Sequence, residues 1–249
     1  MMKIKLLLLA ILFLGASLAQ AQTALEIIKK ADEKNRGESS RGEMSMTIYR
    51  SGWERTLKMK VWSKGTDKFM ILITYPAAEK GQAFLKLGNE MWNWVPSIEK
   101  MIKLPPSMMG QSWMGSDFTN DDLVQQSSII KDYTHKLLGS EKVREMDCYK
   151  IELIPKEDAP VVWGKIIVWI TKSGYDQWKA QYYDEDGYLV NTENASDLKK
   201  MGDRTIPTHL EIIPADKKGQ KTVMQIISME FNVPLDDHFF SQQQMKNLR

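Results

Sequence analysis

From Gly42 onward, apolar side chains fall at every second position, in short runs separated by turn residues. Met44, Met46 and Ile48 alternate with Ser45, Thr47 and Tyr49, and Leu57, Met59 and Val61 alternate with Thr56, Lys58 and Lys60. A period of two puts one set of side chains on one face of a strand, so these runs predict half-buried strands and not helices. Asp67 to Tyr75 is more uniformly apolar and is closed by Pro76. Ala83 to Leu87 and Glu90 to Val95 predict a hairpin around Gly88-Asn89, and Ile98 to Leu104 resumes the alternation. The pattern returns later in Tyr149 to Leu153, Gly164 to Thr171, Trp178 to Tyr183, Tyr188 to Thr192, Thr205 to Ile213 and Lys221 to Asn232. Short strands in series predict an antiparallel sheet, and the chain reads as roughly ten or eleven strands plus a few helices.

Two segments break the rhythm. Thr23 to Asn35 places Ala24, Ile27, Ile28 and Ala31 at helical spacing, with Thr23 and Glu26 in a capping-box arrangement and Gly37 as a stop. In the middle, Pro105-Pro106 ends a strand, and Ser107 to Ser116 holds Met108, Met109, Trp113 and Met114 among Gly, Ser and Gln. Thr119 to Gln126 then reads as a short helix with Asp121 and Asp122 in its first turn, where the helix dipole favours anions. This connection is unusually apolar, since connecting loops run over the surface and carry polar residues. No linker or internal repeat divides the rest, which predicts one domain over residues 22–249. Asp184-Glu185-Asp186-Gly187 lacks the remaining ligand spacing of a calcium loop, and Asp-Gly is the ordinary signal of a tight hairpin.

The N-terminus predicts export. Lys3 and Lys5 precede an apolar run from Leu6 to Leu18, and Ala19-Gln20-Ala21 offers small residues for cleavage after Ala21. A run this short does not span roughly 30 Å of hydrocarbon. No cysteine follows the cut to take a lipid, so the mature chain is expected free in the periplasm, touching membranes only transiently. Removing the two lysines turns 34 basic against 32 acidic residues into an even balance, leaving no net field to attract nucleic acid. Cys148 is the single cysteine, so no internal disulfide can form, and a packed strand cysteine is expected.

Motifs for chemistry are missing. His135, His209 and His238 are dispersed and none sits at a two-histidine metal spacing. There is no nucleophile elbow, P-loop or dinucleotide fingerprint. The reading is therefore no catalytic residues, no metal and no cofactor, although glycosidase carboxylates need not be close in sequence.

Met114–Leu123, "MGSDFTNDDL", resembles a signature of the outer-membrane lipoprotein-sorting proteins, the LolA-like family. "GQAFLKLGNEMWNWV" from Gly81, "YTHKLLG" from Tyr133, "CYKIELIPK" from Cys148, "GKIIVWI" from Gly164 and "YYDEDGYLV" from Tyr182 fall in the family's order. The resemblance covers nearly all of the mature chain and is closer to a broad branch than to the dedicated lipoprotein chaperone. It implies a mainly β (α+β) fold, a strongly curved antiparallel sheet forming an unclosed barrel, with helices covering the concave face and an apolar cavity for acyl chains between them. It implies a carrier for lipids or lipidated proteins, with an inner-membrane exporter as donor and an outer-membrane acceptor. A protein-interaction or sensor module of an envelope lipid-export or stress system is the alternative.

Methionine fits such a lining. Removing the signal leaves 14 of the 16 Met, and this flexible, polarisable side chain adapts to varied apolar partners. The expected lipid-binding residues are Trp92, Trp94, Met101, Met108, Met109, Trp113, Met114 and Phe118. Trp92 and Trp94 share a strand face, Met101 lies on the next strand, and Met108 to Phe118 form a lid hinged at Gly110 and Gly115. The competing reading of the same residues is plain core filling beneath a static loop.

Overall fold

A computed structural model describes residues 22–124 and 128–248. The export signal expected at residues 1–21, and Gln125 and Gln126 of the expected second helix, lie outside these residues. Helix α1 (Ala24–Arg36) opens the chain, capped as its sequence dictates: Thr23 Oγ1 accepts from the Glu26 amide while Glu26 reaches back to the Thr23 amide. Strands β1 (Ser39–Arg50), β2 (Trp53–Lys64), β3 (Lys68–Tyr75), β4 (Ala83–Leu87), β5 (Glu90–Val95) and β6 (Lys100–Leu104) follow as one meander. The connection then carries two short helices, α2 (Asn120–Val124) and α3 (Ser128–Lys131). A second meander comprises β7 (Tyr133–Val143), β8 (Met146–Pro155), β9 (Lys165–Thr171), β10 (Gln177–Tyr183), β11 (Leu189–Met201), β12 (Arg204–Pro214) and β13 (Lys221–Phe231), before helix α4 (Gln242–Asn247).

These strands form one antiparallel sheet of thirteen strands in the order β6-β5-β4-β3-β2-β1-β13-β12-β11-β10-β9-β8-β7. The meanders join where β1 pairs with β13, and β6 and β7 are left as free edges, so the sheet is open. Close approach at the seam explains Gly42. A Cβ there would meet the Ser228 carbonyl at 2.3 Å, beside the bulge at Glu43/Met44. The count exceeds the ten or eleven strands expected from the pattern. The strand missing from that series is β7, an edge strand exposed over most of its length, which has no buried face to impose a period.

Register assigns each side chain to one of two faces. Met46 stands opposite Leu57 and Met224, Val61 opposite Ile71, and Ile71 opposite Phe84. Followed across the sheet, this same face carries Ala180, Val168 and Ile151 on β10, β9 and β8. Helix α1 and the connection cover it, and we call it the inner face. Ala24, Ile27, Ile28 and Ala31 of α1 pack on Ile151, Leu153, Ile166 and Val168. Each fully buried Ile contributes about 1.5–3 kcal/mol relative to exposure. Lys34 fastens the helix end to Asp176 at 2.5 Å.

The outer face carries a small buried cluster at β8–β9, of which Cys148 and Trp169 form part, and is covered at β3–β5. There Met70, Leu72, Ala83, Leu85 and Trp92 pack against Phe240 and Met245 of the C-terminal segment. Helices thus cover both faces, not the inner one alone. Asp237 secures the segment through Lys64 at 2.7 Å and Lys68 at 2.8 Å. Cys148 is fully buried, as expected of a strand cysteine, and burial pushes its thiol up to about 11.

Candidate functional site: the apolar connection on the inner face

The connection from Leu104 to Tyr133 links one edge strand of the sheet to the other, and its first half is laid into the inner face. Trp113 is 1% exposed, its ring centroid 5.3 Å from that of Phe84. Phe118 is buried beside it, and Met109, Met114 and Leu123 pack half-buried against the same cluster of Met46, Leu57, Met59, Ile71 and Met91. Met108 is also half-buried, and its carbonyl accepts from the Asn120 side chain at 2.8 Å.

The residues of the "MGSDFTNDD" block each have a structural task. Met114 and Gly115 both take positive φ, 50° and 78°, which turns the chain sharply. The Met114 conformation is uncommon for a residue with a side chain. Arg55 donates to the Met114 carbonyl at 3.1 Å. Asp117 is the anchor. Its carboxylate accepts from both Arg50 Nη atoms at 3.0 Å and from Thr222 Oγ1 at 2.6 Å, while its carbonyl accepts from Asn191 Nδ2 at 3.1 Å. One residue therefore ties the connection to β1, β13 and β11 across the seam. Thr119 caps α2 reciprocally with Asp122: the Thr119 amide donates to Oδ2 at 2.7 Å and Thr119 Oγ1 accepts from the Asp122 amide at 3.0 Å.

Beneath α2 the inner face becomes polar. Trp163 Nε1 donates to Asp122 Oδ1 at 2.7 Å, and Glu193 accepts from Gln177 at 2.8 Å and from Tyr182 at 3.2 Å. Burial drives the Asp122 and Glu193 carboxyls above the usual range, against the pull of those donors. Burial also pushes Asp121 up to about 7, with the Asp122 charge adding and Lys86 opposing. Two side-chain atoms of this stretch, Trp113 Nε1 and Asp121 Oδ1, are buried without a hydrogen-bond partner.

The raised Asp121 carboxyl makes a pH prediction. Folding makes this group bind its proton more tightly than in the unfolded chain, so between about pH 4 and 7 the folded state holds the extra proton. Its contribution to stability is fully present below that window and is lost as pH rises through it. Urea unfolding at pH 5, 6, 7 and 8 should show Asp121→Asn gaining on the wild type as pH rises. A difference that stays flat with pH would refute the assignment.

The structure separates the eight residues expected to bind lipid. Met108, Met109, Trp113, Met114 and Phe118 come together on the connection, the last four packing on the inner face. Trp92, Trp94 and Met101 share one face, as their spacing and register require, but it is the outer one, under Phe239, Phe240 and Leu248. The inner neighbours on those strands are Met91, Asn93 and Leu104. Among the described residues no group of three or more His, Cys, Asp or Glu side chains could hold a metal, and no helix is long and apolar enough to cross a membrane.

An open antiparallel sheet whose inner face is overlaid by an N-terminal helix and an apolar connection defines a LolA-like half-barrel. A family model described as "Uncharacterized protein" matches residues 65–247, and the chain belongs to that family. Among solved structures, a LolA superfamily protein from Nitrosomonas europaea is 27% identical with a TM-score of 0.78, covering 90% of this chain and all of that one. An outer membrane lipoprotein-sorting protein domain from Vibrio parahaemolyticus, 23% identical, and a DUF1329 family protein from Desulfovibrio piger, 24% identical, each have a TM-score of 0.81. They cover 90% and 89% of this chain, and 98% and 97% of their own lengths. A comparison with curated proteins found no match.

Proposed function

We propose that the protein is a periplasmic carrier that holds acyl chains of lipids or lipidated proteins on its inner face, without covalent chemistry. One observation carries this reading: the inner-face cluster around Met46, Met59, Ile71 and Phe84 is covered by a connection carrying Met109, Trp113, Met114 and Phe118, not by a rigid element of the sheet. The connection is a plug. Its side chains stand where an acyl chain would lie, and cargo enters by displacing them. Met109, Trp113, Met114 and Phe118 fill the site while the plug is seated, and Met46, Met59 and Met91 form the floor that the cargo meets once they leave it.

Physical magnitudes support a movable plug. Each buried methylene contributes about 0.8 kcal/mol, so a sixteen-carbon chain releases on the order of 12 kcal/mol gross. That gain works against exposing the displaced Met, Trp and Phe side chains and releasing the Asp117 anchor, and the segment's unpaired buried polar atoms, at about 1–3 kcal/mol each, lower the cost of moving it. The similarity to a lipoprotein-sorting domain and a LolA superfamily protein supports the cargo class and the compartment. An inner-membrane exporter would load the carrier and an outer-membrane acceptor would unload it.

The test is native mass spectrometry of the protein purified from a periplasmic extract, followed by lipid extraction. Copurified acyl chains are the expected result. A protein that stays empty through mild purification, and takes up no acyl chain from mixed micelles, would sink the proposal.

A further inference from the structure

Trp94 and its neighbours on the outer face mark a second feature that carriage on the inner face does not use. Where α4 meets β3 and β5, a cavity of about 360 Å³ lies between Leu72, Trp94, Pro96 and Leu248, with Lys80 and Lys246 at its edge. A second cavity of about 340 Å³ continues from it, since both are lined by Thr74 and Lys80. Lys58, Lys60, Glu43 and Ile227 line this continuation. Both are open to solvent along the sheet surface, so together they form a trough and not an enclosed chamber.

The charges of this trough are lopsided. Four lysines, Lys58, Lys60, Lys80 and Lys246, face one carboxylate, Glu43. Among the described residues none of the four lysines forms an ion pair. Lys246 instead rests its ammonium 5.3 Å from the Trp94 ring centroid, and Lys58 lies 5.8 Å from that of Tyr75. Elsewhere on the same face lysines do find carboxylates: Lys64 and Lys68 share Asp237, and Lys103 pairs with Glu90. The trough thus has an apolar compartment walled by an indole ring and, continuous with it, more cations than carboxylates.

We propose that this trough is a binding site for a single-chain anionic amphiphile, with its alkyl chain against Leu72, Trp94 and Leu248 and its carboxylate or phosphate among the lysines. The chain gains the apolar compartment, and the headgroup gains charge-assisted hydrogen bonds from ammonium groups that otherwise face solvent. The apolar compartment faces away from the plug, because Trp94 and Trp113 lie on opposite sides of the sheet, so variants of Trp94, Lys80 and Lys246 leave the plug residues untouched.

Quenching of tryptophan fluorescence by a bromine-terminated undecanoate tests it, with undecanol as the uncharged competitor. In the full mature chain, undecanoate should quench Trp94, and Trp94→Phe should remove that component of the signal. Lys80→Glu with Lys246→Glu should weaken undecanoate binding by at least about tenfold, the scale of one charge-assisted contact, and leave undecanol unaffected. The Lys80→Gln, Lys246→Gln pair should fall between, and both pairs should retain the wild-type melting temperature because the lysines are exposed. Quenching indifferent to Trp94→Phe, or affinity indifferent to the charge reversals, overturns the site. So does a protein that binds vesicles containing anionic phospholipid but no monomeric undecanoate.

Discussion

Replacing Asp117 by alanine should cost the folded protein about 3–5 kcal/mol, the scale of breaking a buried ion pair from one side. The Asp117 side chain is 4% exposed and that of Arg50 13%, so the guanidinium left behind would be a largely buried charge without its counter-ion. Thr222 would lose its acceptor as well. The contrast lies on the same sheet: Arg41 and Glu230 pair at 2.8 Å but are 54% and 59% exposed, and Arg41→Ala should cost under about 1 kcal/mol. Urea denaturation of the two variants measures both. Replacing Arg50 and Asp117 together by apolar residues of similar size should recover much of the loss, since it removes the stranded charge. If Asp117→Ala behaves like Arg41→Ala, the anchor is not holding the connection. Limited proteolysis gives a second readout, since loss of the anchor should expose residues 107–119 to cleavage before the sheet unfolds.

That anchor gives the "SDF" of the block a physical meaning the sequence alone does not supply. Asp117 works because Arg50 and Thr222, 67 and 105 residues away, arrive at the same end of the β1–β13 seam. No spacing rule connects them. The local features, by contrast, were legible. The helix at Ala24–Arg36 has the predicted cap and the four predicted buried residues. The hairpin of β4 and β5 turns at Gly88-Asn89, and Asp184 to Gly187 forms a turn as its Asp-Gly requires. Each of these depends on neighbours within a few residues, where propensity and period act directly.

Faces were harder to read. Period two shows that Trp92 and Trp94 point the same way, but not which way, because Met91 on the opposite face is equally apolar. A signal was present. Phe69 to Ile73 and Ala83 to Leu85 do not alternate, and a continuous apolar run belongs to a strand covered on both sides. The C-terminal Phe239-Phe240 and Met245 are the cover for that second side. Read together, those segments place a packed layer on the outer face and move Trp92, Trp94 and Met101 away from the connection. The missed β7 is the converse case. Beyond its buried first residue, Tyr133, both faces are largely exposed, and it carries Lys136, Leu137, Leu138 and Gly139 in no order, paired with β8 alone in the sheet.

Trp113→Ala should separate a plug from a wall and from a static core. Truncating a fully buried tryptophan costs about 3–5 kcal/mol, and the loss here should lie toward the lower end, since the substitution also removes an unpaired indole N–H. In a plug, that destabilisation falls on the closed arrangement alone. The open arrangement becomes more populated, and the apparent affinity for an acyl chain rises in proportion, because cargo no longer works against a well-seated competitor. A shift of about 3 kcal/mol bounds the gain near a hundredfold. In a wall, Trp113 would contact the cargo and its loss would weaken binding. In a static core, stability would fall and affinity would not respond. Calorimetric titration with a soluble single-chain acyl ligand, beside urea unfolding of the unloaded protein, reads both quantities on one sample. Lower stability together with tighter binding is the expected pair, and weaker or unchanged binding would rule out the plug.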